Sequence, residues 1–167
     1  NFNGTIIHSA FNSGRDITSR NIKAYLDDNI FLTKKLLGMD YKKFIYISSV
    51  DVYPSDCNLH KEDEIIDAGN IRNLYGIAKV MSESLVMESS PNCLILRPSA
   101  LLGCYAKKNS LMRILDDNDC TLSLSPSSNF NYVLYSDILR MIVPSGREEL
   151  EGIYNIATSG NVELKEI

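Results

Sequence analysis

The chain has 167 residues, 44% of them apolar and 23% charged, with a formal net charge of −4. This is the composition of an ordinary globular domain with room for a sizeable core. The acidic balance, with no Lys/Arg cluster longer than two, argues against a nucleic-acid partner, and no apolar run is long enough to cross a bilayer.

Cys57, Cys93, Cys104 and Cys120 are scattered without paired spacing. Together with the lack of a signal-peptide pattern this points to reduced thiols and a cytoplasmic location. Cys57 and His60 lie three apart with no second close pair, so no metal site is expected.

Gly4–Ala10 is a β-rich run of the kind that forms an interior parallel strand, with His8 as a hydrogen-bonded core histidine. A polar loop over 11–19 follows, at the strand end where open α/β sheets gather ligands. A helix is predicted from Ser19 to Leu37, with Ile22, Leu26, Asn29, Thr33, Leu36 and Leu37 on one face and Gly38 ending it. Asn29 on that inward face needs a partner and reads as structural glue to a neighbouring loop.

Lys43–Ser48 is the second predicted strand, ending in the pair Ser48–Ser49. The acidic stretch that follows, with Asp56, Glu62, Asp63, Glu64 and Asp67, reads as a solvated loop face. Leu74–Glu88 is the central helix, with Leu74, Ile77, Ala78, Met81 and Leu85 as its buried stripe. Strand Cys93–Leu96, a short helix Ser110–Asp116, strand Asn131–Leu134, a helix from Ser136 to Val143 capped by Ser136, and strand Gly152–Ile156 complete the order. Val162–Ile167 begins a further element. The alternation indicates βαβ crossovers and a parallel sheet.

Tyr75 and Lys79 are four residues apart on the central helix and so share a face. A phenol holds its proton at neutral pH, with a pKa of about 10. A nearby ammonium favours the phenolate, lowers that value and makes the tyrosine a usable acid or base. A serine hydroxyl at the same point would hold the oxygen whose proton moves. The pattern points to proton transfer at a hydroxyl or carbonyl, the partner reaction of hydride transfer. A reading of Ser49 as a hydrolase nucleophile lacks the G-x-S-x-G elbow.

The nine glycines include no G-x-G-x-x-G, the turn that cradles a dinucleotide pyrophosphate. Even so, the series Ile6–Ala10, Phe44–Ser49, Tyr75–Gly76–Ile77–Ala78–Lys79, Leu96–Arg97–Pro98–Ser99 and Gly152–Ile156 resembles the extended short-chain dehydrogenase/reductase family. Within that family, the likeness is to NAD-dependent nucleotide-sugar epimerases and dehydratases. It implies an α/β fold: an incomplete Rossmann-like, doubly wound parallel sheet with the start of a small substrate-binding lobe. Residues 1–103 would be the later part of the dinucleotide-binding domain and 104–167 part of the lobe. The chain is accordingly expected to be incomplete at both ends, inactive as it stands and without measurable NAD affinity.

The resemblance implies that Tyr75 is the acid/base, that Lys79 binds the nicotinamide ribose and depresses the Tyr75 pKa, and that Ser49 holds the reacting sugar oxygen. Ser48 would line the nicotinamide pocket, Pro98 and Ser99 would pass along it, and Ala10 and Phe11 would flank the cofactor. Ser99 would also touch substrate. NAD is the implied cofactor, with NADP not excluded, and a nucleotide sugar the implied substrate. A homodimer through the helices at 22–37 and 74–88 belongs to the same picture. Asp51 stands where the dehydratase branch carries an acid, here in a Val50–Asp51 pair, and is read as structural. Two departures bear on the substrate. Ala100 stands where the family often has an asparagine, and Phe130 where it has a diphosphate-binding arginine, which a phenyl ring does not replace. The alternative reading is a non-catalytic Rossmann-like scaffold or ligand-sensing, partner-binding module.

Overall fold

The computed structural model describes residues 4–14, 16–56, 58–107, 109–117, 119–143 and 150–167. In chain order the strands are β1 (Thr5–His8), β2 (Lys43–Ile47), β3 (Leu94–Pro98), β4 (Ala100–Leu102), β5 (Asn129–Phe130), β6 (Tyr132–Leu134), β7 (Gly152–Ile156) and β8 (Val162–Glu163). The α-helices are α1 (Ile22–Leu26), α2 (Leu32–Leu37), α3 (Leu74–Ser89), α4 (Ser110–Asp116) and α5 (Tyr135–Ile142). A π-helical turn, Asp27–Phe31, joins α1 to α2, and short 3-10 turns lie at Val50–Val52, Ala68–Asn70 and Leu164–Glu166.

The principal sheet has the order β1-β2-β3-β7. β1 and β2 pair in parallel with Ile7 opposite Ile45, and β2 and β3 in parallel with Ile45 opposite Leu94. The fold is the expected α/β class with a parallel, Rossmann-like sheet. The inner strands β2 and β3 are buried on both faces, as continuous apolar runs should be. Phe44, Tyr46 and Ile95 pack with Val86 of α3 and with Leu36 and Leu37 of α2, forming one core.

Chain contacts divide the protein into two compact units. The first is Asn1–Arg97 with Gly146–Asn155, and the second Pro98–Ser145 with Ile156–Ile167. The division at Arg97 precedes the expected one at residue 103, because β4 pairs in parallel with β6 while β7 returns to the sheet of β3. Within the second unit β5 and β8 pair antiparallel, which gives the element expected at 162–167 its partner. β4 and β5 are too short to carry a readable alternation and were not anticipated.

Among the described residues β1 lies at the edge of the sheet, with Ile7 half exposed. Other expectations are corrected. The first helix begins at Ile22 after a backbone cap at Asn21. Its π turn then adds a residue and shifts the face, so Tyr25 and Ile30 are buried while Ile22, Leu26, Leu36 and Leu37 are only half-buried. On α3, Leu74 and Met81 are exposed, and Gly76, Ala78, Lys79, Ser82, Glu83 and Val86 face inward. Helix α5 starts at Tyr135 instead of Ser136, and the carboxylate of Asp137 accepts from the Leu134 backbone N–H at 3.0 Å.

Candidate active site

Three local devices bring α3 to the carboxyl end of β2. Beyond β2, Ser49 is extended and its hydroxyl accepts from the Asp51 backbone N–H at 3.2 Å, capping the turn Val50–Val52. Asn73 caps α3 by accepting from the Gly76 N–H at 2.6 Å, which places Tyr75 in the first helical turn. Gly76 lies against that earlier turn so closely that an added Cβ would run into the Asp51 carbonyl oxygen. Helix α3 can approach Ser49 only because residue 76 has no side chain.

The Ser49 hydroxyl is a neighbour of Tyr75 and favours its ionised form. Lys79, one turn further along α3, is 3% exposed and donates from Nζ to the Ile47 carbonyl at 2.8 Å. A buried ammonium needs such compensation. Aromatic faces supply more of it: Nζ lies 3.9 Å from the Phe11 ring centroid, 4.9 Å from that of Tyr46 and 5.6 Å from that of Tyr75. Phe11 is edge-on to Tyr75, with centroids 5.2 Å apart.

The electrostatics differ from the expectation that Lys79 depresses the phenol. In this arrangement burial, followed by the Asp51 carboxylate, pushes Tyr75 up to about 12, against a downward pull from the neighbouring Ser49 hydroxyl. Burial and then the Lys79 charge hold His8 down at about 4, so it is neutral at physiological pH. His8 is buried and its Nε2 pairs with the Thr33 hydroxyl at 2.9 Å, as expected of a core histidine.

The remaining site candidates are spread more widely. Ser48 is buried beside Ser49, and its hydroxyl has no hydrogen-bond partner among the described residues. An orphaned polar atom at a strand's carboxyl end suits a bound polar group. Ala10 is exposed and leads into Phe11. Pro98 closes β3 and is buried. Ser99 belongs to the second unit, where its hydroxyl donates to the Asn131 side-chain oxygen at 2.9 Å and its backbone N–H to the Ile156 carbonyl at 3.0 Å. No cluster of metal-ligating side chains occurs among the described residues.

Sequence reasoning missed the polar core next to this site. The Arg97 guanidinium is 2% exposed and forks onto Glu83, Nη2 to Oε2 at 2.7 Å and Nε to Oε1 at 3.1 Å, while Nη1 donates to the Tyr53 hydroxyl at 2.7 Å. That hydroxyl's own hydrogen is shared between the Asn155 side-chain oxygen at 2.9 Å and the Lys61 carbonyl at 3.1 Å. The acidic residues read as a solvated loop face are exposed as expected, and the segment is also tied down. Glu62 accepts from the Asn155 backbone N–H at 2.9 Å. His60 stacks on Tyr53, with rings 4.8 Å apart, and sits between Asp56 and Glu64 at 3.0 Å each. Cys57, the other half of the pair considered for a metal, lies outside the described residues. The i, i+4 spacing of 56, 60 and 64 was the one available signal for the loop's order.

No curated protein matches the chain in sequence. Solved structures do match in fold. A UDP-glucuronic acid 4-epimerase from Bacillus cereus, in complex with UDP-glucuronic acid and NAD, superposes with a TM-score of 0.82 at 22% identity, over 97% of this chain and 56% of its own. A UDP-N-acetylglucosamine 4-epimerase from Methanobrevibacter ruminantium, in complex with UDP-N-acetylmuramic acid, gives 0.76 at 18% identity, over 97% and 57%. The Bordetella bronchiseptica enzyme WbmG, in complex with NAD and UDP, gives 0.73 at 18% identity, over 97% and 53%. The chain thus spans a little over half the length of these structures. A family model described as NAD dependent epimerase/dehydratase matches residues 3–157. With nearly its whole length matched by that model, the chain belongs to the NAD-dependent epimerase/dehydratase family.

Proposed function

We propose that the protein carries out an epimerase- or dehydratase-type reaction on a nucleotide sugar, using NAD and proton transfer by Tyr75. The observation that carries this reading is the meeting of three groups: the Tyr75 phenol with Ser49 as its neighbour and the Lys79 ammonium 5.6 Å from its ring. Membership of the family supports the reaction class, and the similar structures bound to NAD and UDP-sugars support the ligand classes.

Bound NAD supplies a hydride acceptor and donor. Ser48, Tyr75, Lys79, Ala10, Phe11, Pro98 and Ser99 are the residues of this chain that would hold it. Ser49 fixes the sugar oxygen, with Ser99 a further substrate contact, and Tyr75 gives or takes the proton on that oxygen. With its pKa at about 12 the phenol is fully protonated at neutral pH, which readies it first as the acid. For phenolate to form, the Lys79 charge must outweigh the Asp51 carboxylate and the loss of solvent.

A homodimer belongs to this reading: Leu74, Met81 and Met87 on α3 and Phe31 on the π turn are exposed although large and apolar. A cytoplasmic location is proposed with it. Among the described residues no helix is long and apolar enough to cross a membrane. The runner-up, a non-catalytic ligand sensor, draws on the high Tyr75 pKa and on Phe130 in the arginine's place.

The separating experiment is Tyr75→Phe in the intact protein, assayed with NAD and UDP-sugars. Turnover is expected to fall by about 10²–10⁴-fold while NAD binding is kept. Turnover within tenfold of the parent would remove Tyr75 from the acid/base role.

A further inference from the structure

Phe11 occupies a position that its place in a loop does not explain. It is the third residue past β1, yet its ring makes the shortest aromatic contact to the Lys79 ammonium, 3.9 Å from Nζ to the centroid. The same ring stands edge-on to Tyr75 at 5.2 Å and to Tyr25 at 6.4 Å. The backbone that follows the ring is held as well. The backbone of the next residue, Asn12, is clamped by Asn29: the Asn12 N–H donates to the Asn29 side-chain oxygen at 2.7 Å and the Asn29 amide returns to the Asn12 carbonyl at 3.0 Å. Asn29 is fully buried within the π turn, the irregularity that points it at the loop.

We propose that Phe11 is a positioning residue: its ring face, fixed by the Asn29 clamp, holds the Lys79 ammonium charged and in place beside Tyr75. This deepens the function proposed above and rests on it for the consequence in turnover. It goes beyond the cofactor-flanking role that family resemblance implies, because it acts through Lys79. The physical reason is the ring quadrupole. An ammonium withdrawn from water needs negative potential around it, and an aromatic face gives that without introducing a second charge that would repel a phenolate.

Other groups face this pair and must be held constant. Asp51 and Tyr25 act on Tyr75, His8 lies near Lys79, and Tyr46 presents its ring to the ammonium with Glu83 and Ser82 close to its own hydroxyl. None of them is itself substituted by a change at position 11. Phe11→Leu keeps an apolar side chain, though a smaller one, and removes the π face, whereas Phe11→Tyr keeps both the size and the face.

The test is a titration of Lys79 in the intact protein labelled with ¹³C-lysine, its resonance assigned by its loss in Lys79→Arg. In Phe11→Leu the Lys79 midpoint is expected to fall by about one pH unit, the size of a desolvated cation–π contact. Phe11→Tyr should leave it in place. In the same variants, the limb of the turnover profile that requires phenolate should move to higher pH in Phe11→Leu and stay put in Phe11→Tyr. A Lys79 midpoint unmoved in Phe11→Leu, or moved equally by both substitutions, overturns the proposal. Should Phe11→Leu not fold, Phe11→Met takes its place with the same expectation. The lysine titration needs no turnover, so it stands or falls separately from the result of Tyr75→Phe.

Discussion

The half-buried Tyr75 and the buried His8 hold their neutral forms, and each has a measurable consequence. Tyr75, at about 12, should not ionise below pH 11 in the free protein. A difference absorbance titration of the parent minus Tyr75→Phe would show this, and ionisation near pH 10 would mean the phenol is solvated. His8 is held at about 4, against about 6.5 in the unfolded chain. The unfolded state therefore takes up a proton that the folded state refuses as pH falls below 6.5. Stability is fully present above that value and declines until about pH 4, by on the order of 3 kcal/mol. His8→Gln should flatten that slope in urea melts at pH 7 and pH 4.5. At this scale the Tyr75/Lys79 spacing was legible, because helical periodicity alone puts the two on one face. The sign of the Tyr75 shift was not, since it depends on Asp51 and on burial that only the folded chain assembles.

At the scale of elements, the approach of α3 to the turn Val50–Val52 is decided by Gly76. Gly76→Ala must push the helix off the Asp51 carbonyl, and overpacking of this kind typically costs about 1–3 kcal/mol. The expected result is a lower melting temperature and loss of the Ser49–Tyr75 contact. A variant with parental stability and activity would show that the helix has slack here. The Arg97–Glu83 pair ties β3 to α3 inside the first unit. Removing one partner leaves a buried charge, so Arg97→Met should destabilise by about 3–5 kcal/mol in denaturant melts, and adding Glu83→Gln should restore part of the loss. An additive double variant would argue that the two are not coupled. Strands β2, β3 and β7 and helix α3 were readable from runs and caps. The stripe on α3 was misread because Lys79, Ser82 and Glu83 are charged or polar residues buried by specific partners, while Leu74 and Met81 are left outside.

For the whole molecule, the apolar face on α3 sets the expectation that the protein pairs with itself. Met81→Glu should convert a dimer to a monomer in light scattering; a protein that is monomeric without the substitution would contradict the pairing. The pattern of the chain was enough to determine the α/β class and the parallel order, and its motifs carried the resemblance to the family, because hydrophobic runs, glycine and proline punctuation and short motifs are local quantities written along the backbone. What only the tertiary structure decided is the environment of each polar group. Phe11 reaches Lys79 across 68 residues of sequence, Arg97 finds Glu83 and Tyr53, and Asn155 secures the loop around His60. Such pairings depend on burial and on contacts distant in sequence, and no periodicity records them.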